Sequence, residues 1–109
     1  MATLNHNIVG STATLNTLLT AGDNVSNIRS ILITNVHDTA DATITLFIEN
    51  SPLTGTSSTF HLLHTVALPA DCSILLDNPS MVSFDNSANA FGLFIEVGGS
   101  DTVDVLINQ

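Results

Sequence analysis

Apolar and polar residues alternate with a period of two along most of this chain. The clearest stretch sets Ala42, Ile44, Leu46 and Ile48 on one face and Thr43, Thr45, Phe47 and Glu49 on the other. The same period recurs at Phe91, Leu93, Ile95 and Val97, and again at Val103, Val105 and Ile107 with Asp104 and Asn108 opposite. Strand-type runs are predicted over residues 12–19, 25–35, 42–49, 59–67, 72–77, 81–84, 90–97 and 102–107. Turn residues separate them: Ala21-Gly22-Asp23-Asn24, His37-Asp38-Thr39-Ala40-Asp41, Pro69-Ala70-Asp71, Asn78-Pro79 and Gly98-Gly99-Ser100-Asp101. Longer loops are expected over residues 50–58 and 85–89. About eight short strands at this spacing predict an all-β fold, an antiparallel β-sandwich or jelly roll. Ile31, Leu32 and Ile33 are consecutive and apolar, so their strand is expected to be central and buried on both faces.

Residues 11–109 read as one β-sandwich domain, and residues 1–10 break its pattern. Asn5, His6 and Asn7 interrupt the apolar Leu4, Ile8 and Val9. This segment is either a frayed terminus or an N-terminal arm that adds a strand to a neighbouring subunit. Phe47 and Phe94 fall in the phase where polar residues belong, which points to a partner surface or a second packed layer. Leu4, Ile8, Val9, Arg29, Phe47 and Phe94 are therefore the candidate interface residues.

Composition narrows the role. The 109 residues include one basic side chain, Arg29, against ten acidic ones, for a formal net charge of -9. Without lysine, the chain cannot neutralise phosphates along a groove, and an anionic membrane would repel it. No apolar run approaches the ~18 residues of a membrane helix. Residues 1–20 have no basic n-region, so no signal peptide is expected. Contacts between copies at -9 each are expected to be apolar and backbone-mediated rather than ionic, although Arg29 has the planar fork suited to a carboxylate partner.

Candidate chemistry is sparse. Cys72 is the one cysteine and reads as a small core residue in an apolar segment. His61 and His64 stand three apart, and a regular strand directs such residues to opposite faces, so they are not expected to share a metal. Asp38 with Asp41 and Asp101 with Asp104 form close acidic pairs, but no glutamate closes a calcium loop and aspartate is an ordinary turn former. No nucleophile elbow or phosphate-binding loop is present. The expectation is a protein without catalytic residues, cofactor or metal.

The layout resembles a known group. A Leu-Thr run and a Gly-Asp turn lead into Ser30-Ile31-Leu32-Ile33-Thr34-Asn35. Then come Ala42-Thr43-Ile44-Thr45-Leu46, Leu68-Pro69-Ala70 and Ile74-Leu75-Leu76-Asp77. This is similar to small all-β virion proteins of tailed bacteriophages, especially cyanophages and other marine phages. The resemblance implies a non-enzymatic structural component, either a capsid decoration or cement protein or a neck, tail or fibre component that binds a receptor or glycan. It also implies a virion location after assembly in the host cytoplasm. The expected partners are further copies, with a trimer favoured, and the major capsid protein or another virion protein.

Overall fold

The computed structural model describes residues 3–9, 14–25, 28–50, 58–88, 90–99 and 102–109. Eight strands form: β1 Thr3–Val9, β2 Thr14–Leu19, β3 Ser30–Asn35, β4 Ala42–Asn50, β5 Ser58–Leu68, β6 Ser73–Leu76, β7 Phe91–Gly99 and β8 Thr102–Asn108. One helical turn, α1 Pro79–Val82, lies between β6 and β7. The strands build two four-stranded sheets, in the orders β1-β8-β3-β6 and β2-β7-β4-β5, with every neighbouring pair antiparallel. Every connection except β4–β5 crosses from one sheet to the other. An all-β sandwich was expected, and this connectivity is that of the eight-stranded jelly roll.

The inner faces follow the period-two pattern. Ile31, Ile33, Val103, Val105 and Ile107 from one sheet meet Ala42, Ile44, Leu46, Leu93, Ile95 and Val97 from the other, all with no exposed surface. Each fully buried Val, Leu or Ile contributes about 1.5–3 kcal/mol relative to exposure, so this aliphatic layer dominates the stability. Central β3 departs from expectation. Its burial alternates, with Ile31 and Ile33 inside and Leu32 half-exposed on the outer face. A jelly-roll sheet packs against its partner on one face only, so a consecutive apolar triplet there leaves its middle residue outside.

Two local readings change. Residues 81–84, expected as a strand, contribute instead to α1 and the chain after it. The Asn78 side chain caps the turn by accepting from the Ser80 N–H at 3.0 Å, and Pro79 supplies a ready helical φ at the first position. Val82 then closes the core with no exposure, while neighbouring Met81 is exposed. In the other direction, residues 3–9 form β1 on β8 of the same chain. The ladder sets Leu4 opposite Ile107, Ile8 opposite Val103 and Val9 opposite Thr102.

A buried asparagine ties the loops at each end of the sandwich. At one end Asn35 donates to the Ala40 and Leu68 carbonyls at 2.9 and 3.0 Å and accepts from the His37 N–H at 3.0 Å. At the other, Asn86 accepts from the Val25 N–H at 3.0 Å and donates to the Thr20 and Phe91 carbonyls at 3.1 and 2.8 Å. Irregular backbone under a sandwich needs such partners, because a buried carbonyl or N–H without one is costly.

Candidate functional site: the outer faces of the two sheets

With the interior filled by aliphatic side chains, the surfaces left for function are the outer faces of the sheets and the loop ends. On the β2-β7-β4-β5 sheet, Phe47 and Phe94 are directly opposed in the β4–β7 ladder. Their rings stack with centroids 5.5 Å apart and planes 20° apart. His61 of β5 faces Phe47 from the other side, at 5.6 Å between centroids. The two phenylalanines foreseen as misplaced thus shield each other in a cross-strand row, and both are half-buried. Glu49 accepts a hydrogen bond from the Thr59 hydroxyl at 2.9 Å beside this row, and Leu15 lies exposed on β2.

Gly92 makes room for that row. A Cβ there would stand 2.9 Å from the Leu19 carbonyl oxygen and 3.1 Å from the Phe94 ring. Gly92→Ala is expected to push Phe94 off Phe47 and to strain the β2–β7 ladder, at about 1–3 kcal/mol. Thermal unfolding measures the loss, and near-ultraviolet circular dichroism should report the altered ring packing. An unchanged melting temperature would mean the ring is free to shift.

The outer face of the β1-β8-β3-β6 sheet carries an aliphatic row that sequence reading did not pick out. Leu32 lies opposite both Leu75 of β6 and Leu106 of β8. Leu75 is 54% exposed and Leu106 36%, with Leu32 half-exposed between them. The signal was present as three apolar triplets, Ile31-Leu32-Ile33, Ile74-Leu75-Leu76 and Val105-Leu106-Ile107. Each puts a leucine in the polar phase of its strand, and the topology makes the three strands neighbours. Around the row the face is polar: the Thr34 and Ser73 hydroxyls share a hydrogen bond at 2.9 Å, and Asp104 stands opposite Thr34.

Other candidates scatter. Arg29 is exposed just before β3, and its backbone N–H donates to the Asn108 carbonyl at 2.7 Å. No ion pair of its guanidinium occurs among the described residues. Leu4, Ile8 and Val9 sit in β1, at the far edge of the sheet from Leu75 and remote from Phe47 and Phe94 in the strand order. Cys72, expected in the core, is exposed. It lies in the turn before β6, with its backbone carbonyl taken by the Asn35 N–H at 2.9 Å, so its position serves the backbone and not packing. His37 accepts the Thr39 and Ala40 N–H groups on Nδ1, which organises the loop that holds Asp38 and Asp41. Asp101 lies outside the described residues. His61 and His64 do not point to opposite faces; their rings meet edge to face at 4.8 Å.

At the loop end near Asn86, a cleft of about 160 Å³ is lined by Asn24, Val25, Phe84, Asp85, Asn86 and Ser87. The Ser87 hydroxyl, at 2.6 Å, and its backbone N–H, at 3.0 Å, both donate to Asp85. They hold its carboxyl below the usual carboxylate range. These contacts form a local turn, and no group of three or more His, Cys, Asp or Glu side chains suited to a metal occurs among the described residues.

No protein-family model and no curated protein matches the chain. Among solved structures, a chain in the structure of the Gx strain of infectious bursal disease virus is similar over 96% of this chain, at 13% identity and a TM-score of 0.45. This protein spans 30% of the length of that chain.

Proposed function

We propose that this chain is a non-enzymatic structural subunit of a virus particle, and in finer terms a bacteriophage capsid decoration or cement protein on the outer surface of the head. It acts as a homo-oligomer, with a trimer favoured, seated on the major capsid protein or another virion protein. The observation that carries the reading is the Leu75-Leu32-Leu106 row, an apolar strip across the outside of a sheet whose inner face is already packed. A jelly roll with a filled aliphatic interior has no room for a cupin-type site inside, and a chain without Trp or Tyr is poorly equipped to stack sugars. What remains is a rigid unit with adhesive sheet faces. A net charge of -9 suits a position outside a DNA-filled shell, where no phosphate has to be bound.

The test is attachment. Mass spectrometry of purified particles should find the protein, and its absence there would remove the proposal. The double variant Leu75→Asp/Leu106→Asp places two charges on the exposed row and nothing in the core. It is expected to fold like the parent and to lose particle binding at least ten-fold. Attachment at parental strength would shift the contact to the Phe47 face or the loop ends.

A further inference from the structure

The geometry points to a half-site for a divalent transition-metal ion at His61 and His64, completed by the same two residues of a second copy of this chain. A regular strand would separate these histidines. In β5 the register slips twice against β4: Ile44 pairs with Val66, Leu46 with Leu63 and Phe47 with His61. Two extra residues are thereby accommodated in β5, and the imidazoles emerge together on the outer face, both exposed, with centroids 4.8 Å apart. The irregularity is held in place. Thr65 adopts a φ of 49, and its N–H leaves the backbone ladder to donate to the Thr45 hydroxyl at 3.0 Å. Positive φ is an outlier for a β-branched residue, and such strain persists where it sets up a functional arrangement.

The spacing suits one ion. With metal–nitrogen bonds of about 2.0–2.1 Å, each ring centroid lies roughly 3.2 Å from a bound metal, so two imidazoles on one ion can stand up to about 6.4 Å apart. The observed 4.8 Å is within that reach once the two exposed side chains rotate out of their edge-to-face contact. The imidazole pair selects zinc, copper or nickel over calcium and magnesium, which prefer oxygen. Within one copy no third His, Cys, Asp or Glu joins the pair among the described residues. Zinc sites built from protein alone take four ligands. The missing two are available from a second copy, because β5 is the edge strand of its sheet. A two-fold axis passing beside β5 between the histidines would bring four imidazoles around one ion. A divalent cation at that seam also offsets the repulsion between two chains at -9 each. A bulge alone can serve to stop edge strands from pairing, but that role leaves the adjacent imidazoles unused.

The proposal goes beyond the virion reading and is tested apart from it, in solution and with no particle present. Untagged full-length protein is titrated with zinc chloride by calorimetry and followed by sedimentation velocity. The expected result is one zinc per two chains, association tightened at least ten-fold, and reversal by chelator. His61→Ala and His64→Ala should each abolish the effect while retaining the parental circular dichroism spectrum, and His61→Gln/His64→Gln repeats the test with side chains closer in size. Zinc bound one per chain without association, no binding at 100 µM zinc, or binding unchanged in the double variant would each overturn the proposal.

Discussion

Deletion of residues 1–10 is expected to destabilise the whole domain, not merely to release a tether. The segment contains β1, which covers β8 through seven consecutive residue pairs from Thr3–Asn108 to Val9–Thr102. On β8, Val103, Val105 and Ile107 have no exposed surface. Removing β1 turns β8, which carries this inner row, into the edge of its sheet. Losing this ladder along the full length of β8 should cost at least about 3 kcal/mol, a large share of the 5–15 kcal/mol that holds a domain of this size. Since about 1 kcal/mol shifts the melting temperature by 4–8 °C in a domain near this length, a drop of more than about 10 °C is expected. The exposed β8 edge should also raise aggregation. Thermal unfolding followed by circular dichroism checks this. The opposite outcome, a parental melting temperature with oligomerisation or particle binding lost, would establish residues 1–10 as an arm acting on a neighbouring subunit.

That prediction turns on a strand the sequence conceals. In residues 3–9 the apolar positions Leu4 and Ile8 are separated by His6 where a third apolar residue would complete the period, and Val9 falls out of phase. Pairing to β8, a contact about one hundred residues distant, decides the conformation, and no local pattern reports it. The inner faces of β4, β7 and β8 were legible because each alternates cleanly and packs against one neighbouring layer. The stretch at residues 81–84 misled because two adjacent apolar residues fit a short strand as well as a helical turn. The cap at Asn78-Pro79 was the better guide. The outer leucine row was visible only as three separate triplets, and the strand order β8-β3-β6 is what joins them. The histidine pair was hidden by the assumption of a regular period. Two slips of register in β5 reverse that inference, and neither Gly nor Pro within the strand marks them. Local alternation therefore reveals the core, while the candidate surfaces depend on topology and on irregularities in the ladder.

Asn86→Ala is expected to be strongly destabilising for a substitution of a single polar residue. The side chain accepts from the Val25 N–H and donates to the Thr20 and Phe91 carbonyls, joining the β2–β3 loop to the entry of β7. Its own backbone carbonyl also accepts from Gly22 and Asn24, at 2.9 and 3.2 Å. Alanine keeps these backbone contacts but removes the side-chain partner of the Val25 N–H and of the Phe91 carbonyl, and one of the two partners of the Thr20 carbonyl, which still accepts from the Asp23 N–H, in a region where the parent residue is 3% exposed. Each group left without a partner costs about 1–3 kcal/mol, with the lower end applying where water enters, so a total loss of about 2–5 kcal/mol is expected. Asn86→Asp separates acceptor from donor. It preserves the acceptor for Val25 but turns a carboxylate toward two carbonyls, which raises its pKa in the folded state. The aspartate variant should therefore be at least as unstable as alanine at neutral pH and should recover relative to the parent on acidification, because the protonated form can donate again. Chemical denaturation from pH 7 to 4 reads both effects. A loss under about 0.5 kcal/mol for alanine would show that water replaces the side chain without penalty. Because the substitution lies at a loop end, away from Leu32, Leu75 and Leu106, the folded fraction of either variant should attach to particles as the parent does. A binding defect in fully folded Asn86→Ala would instead place recognition in the loops around the cleft, as a receptor- or glycan-binding module requires.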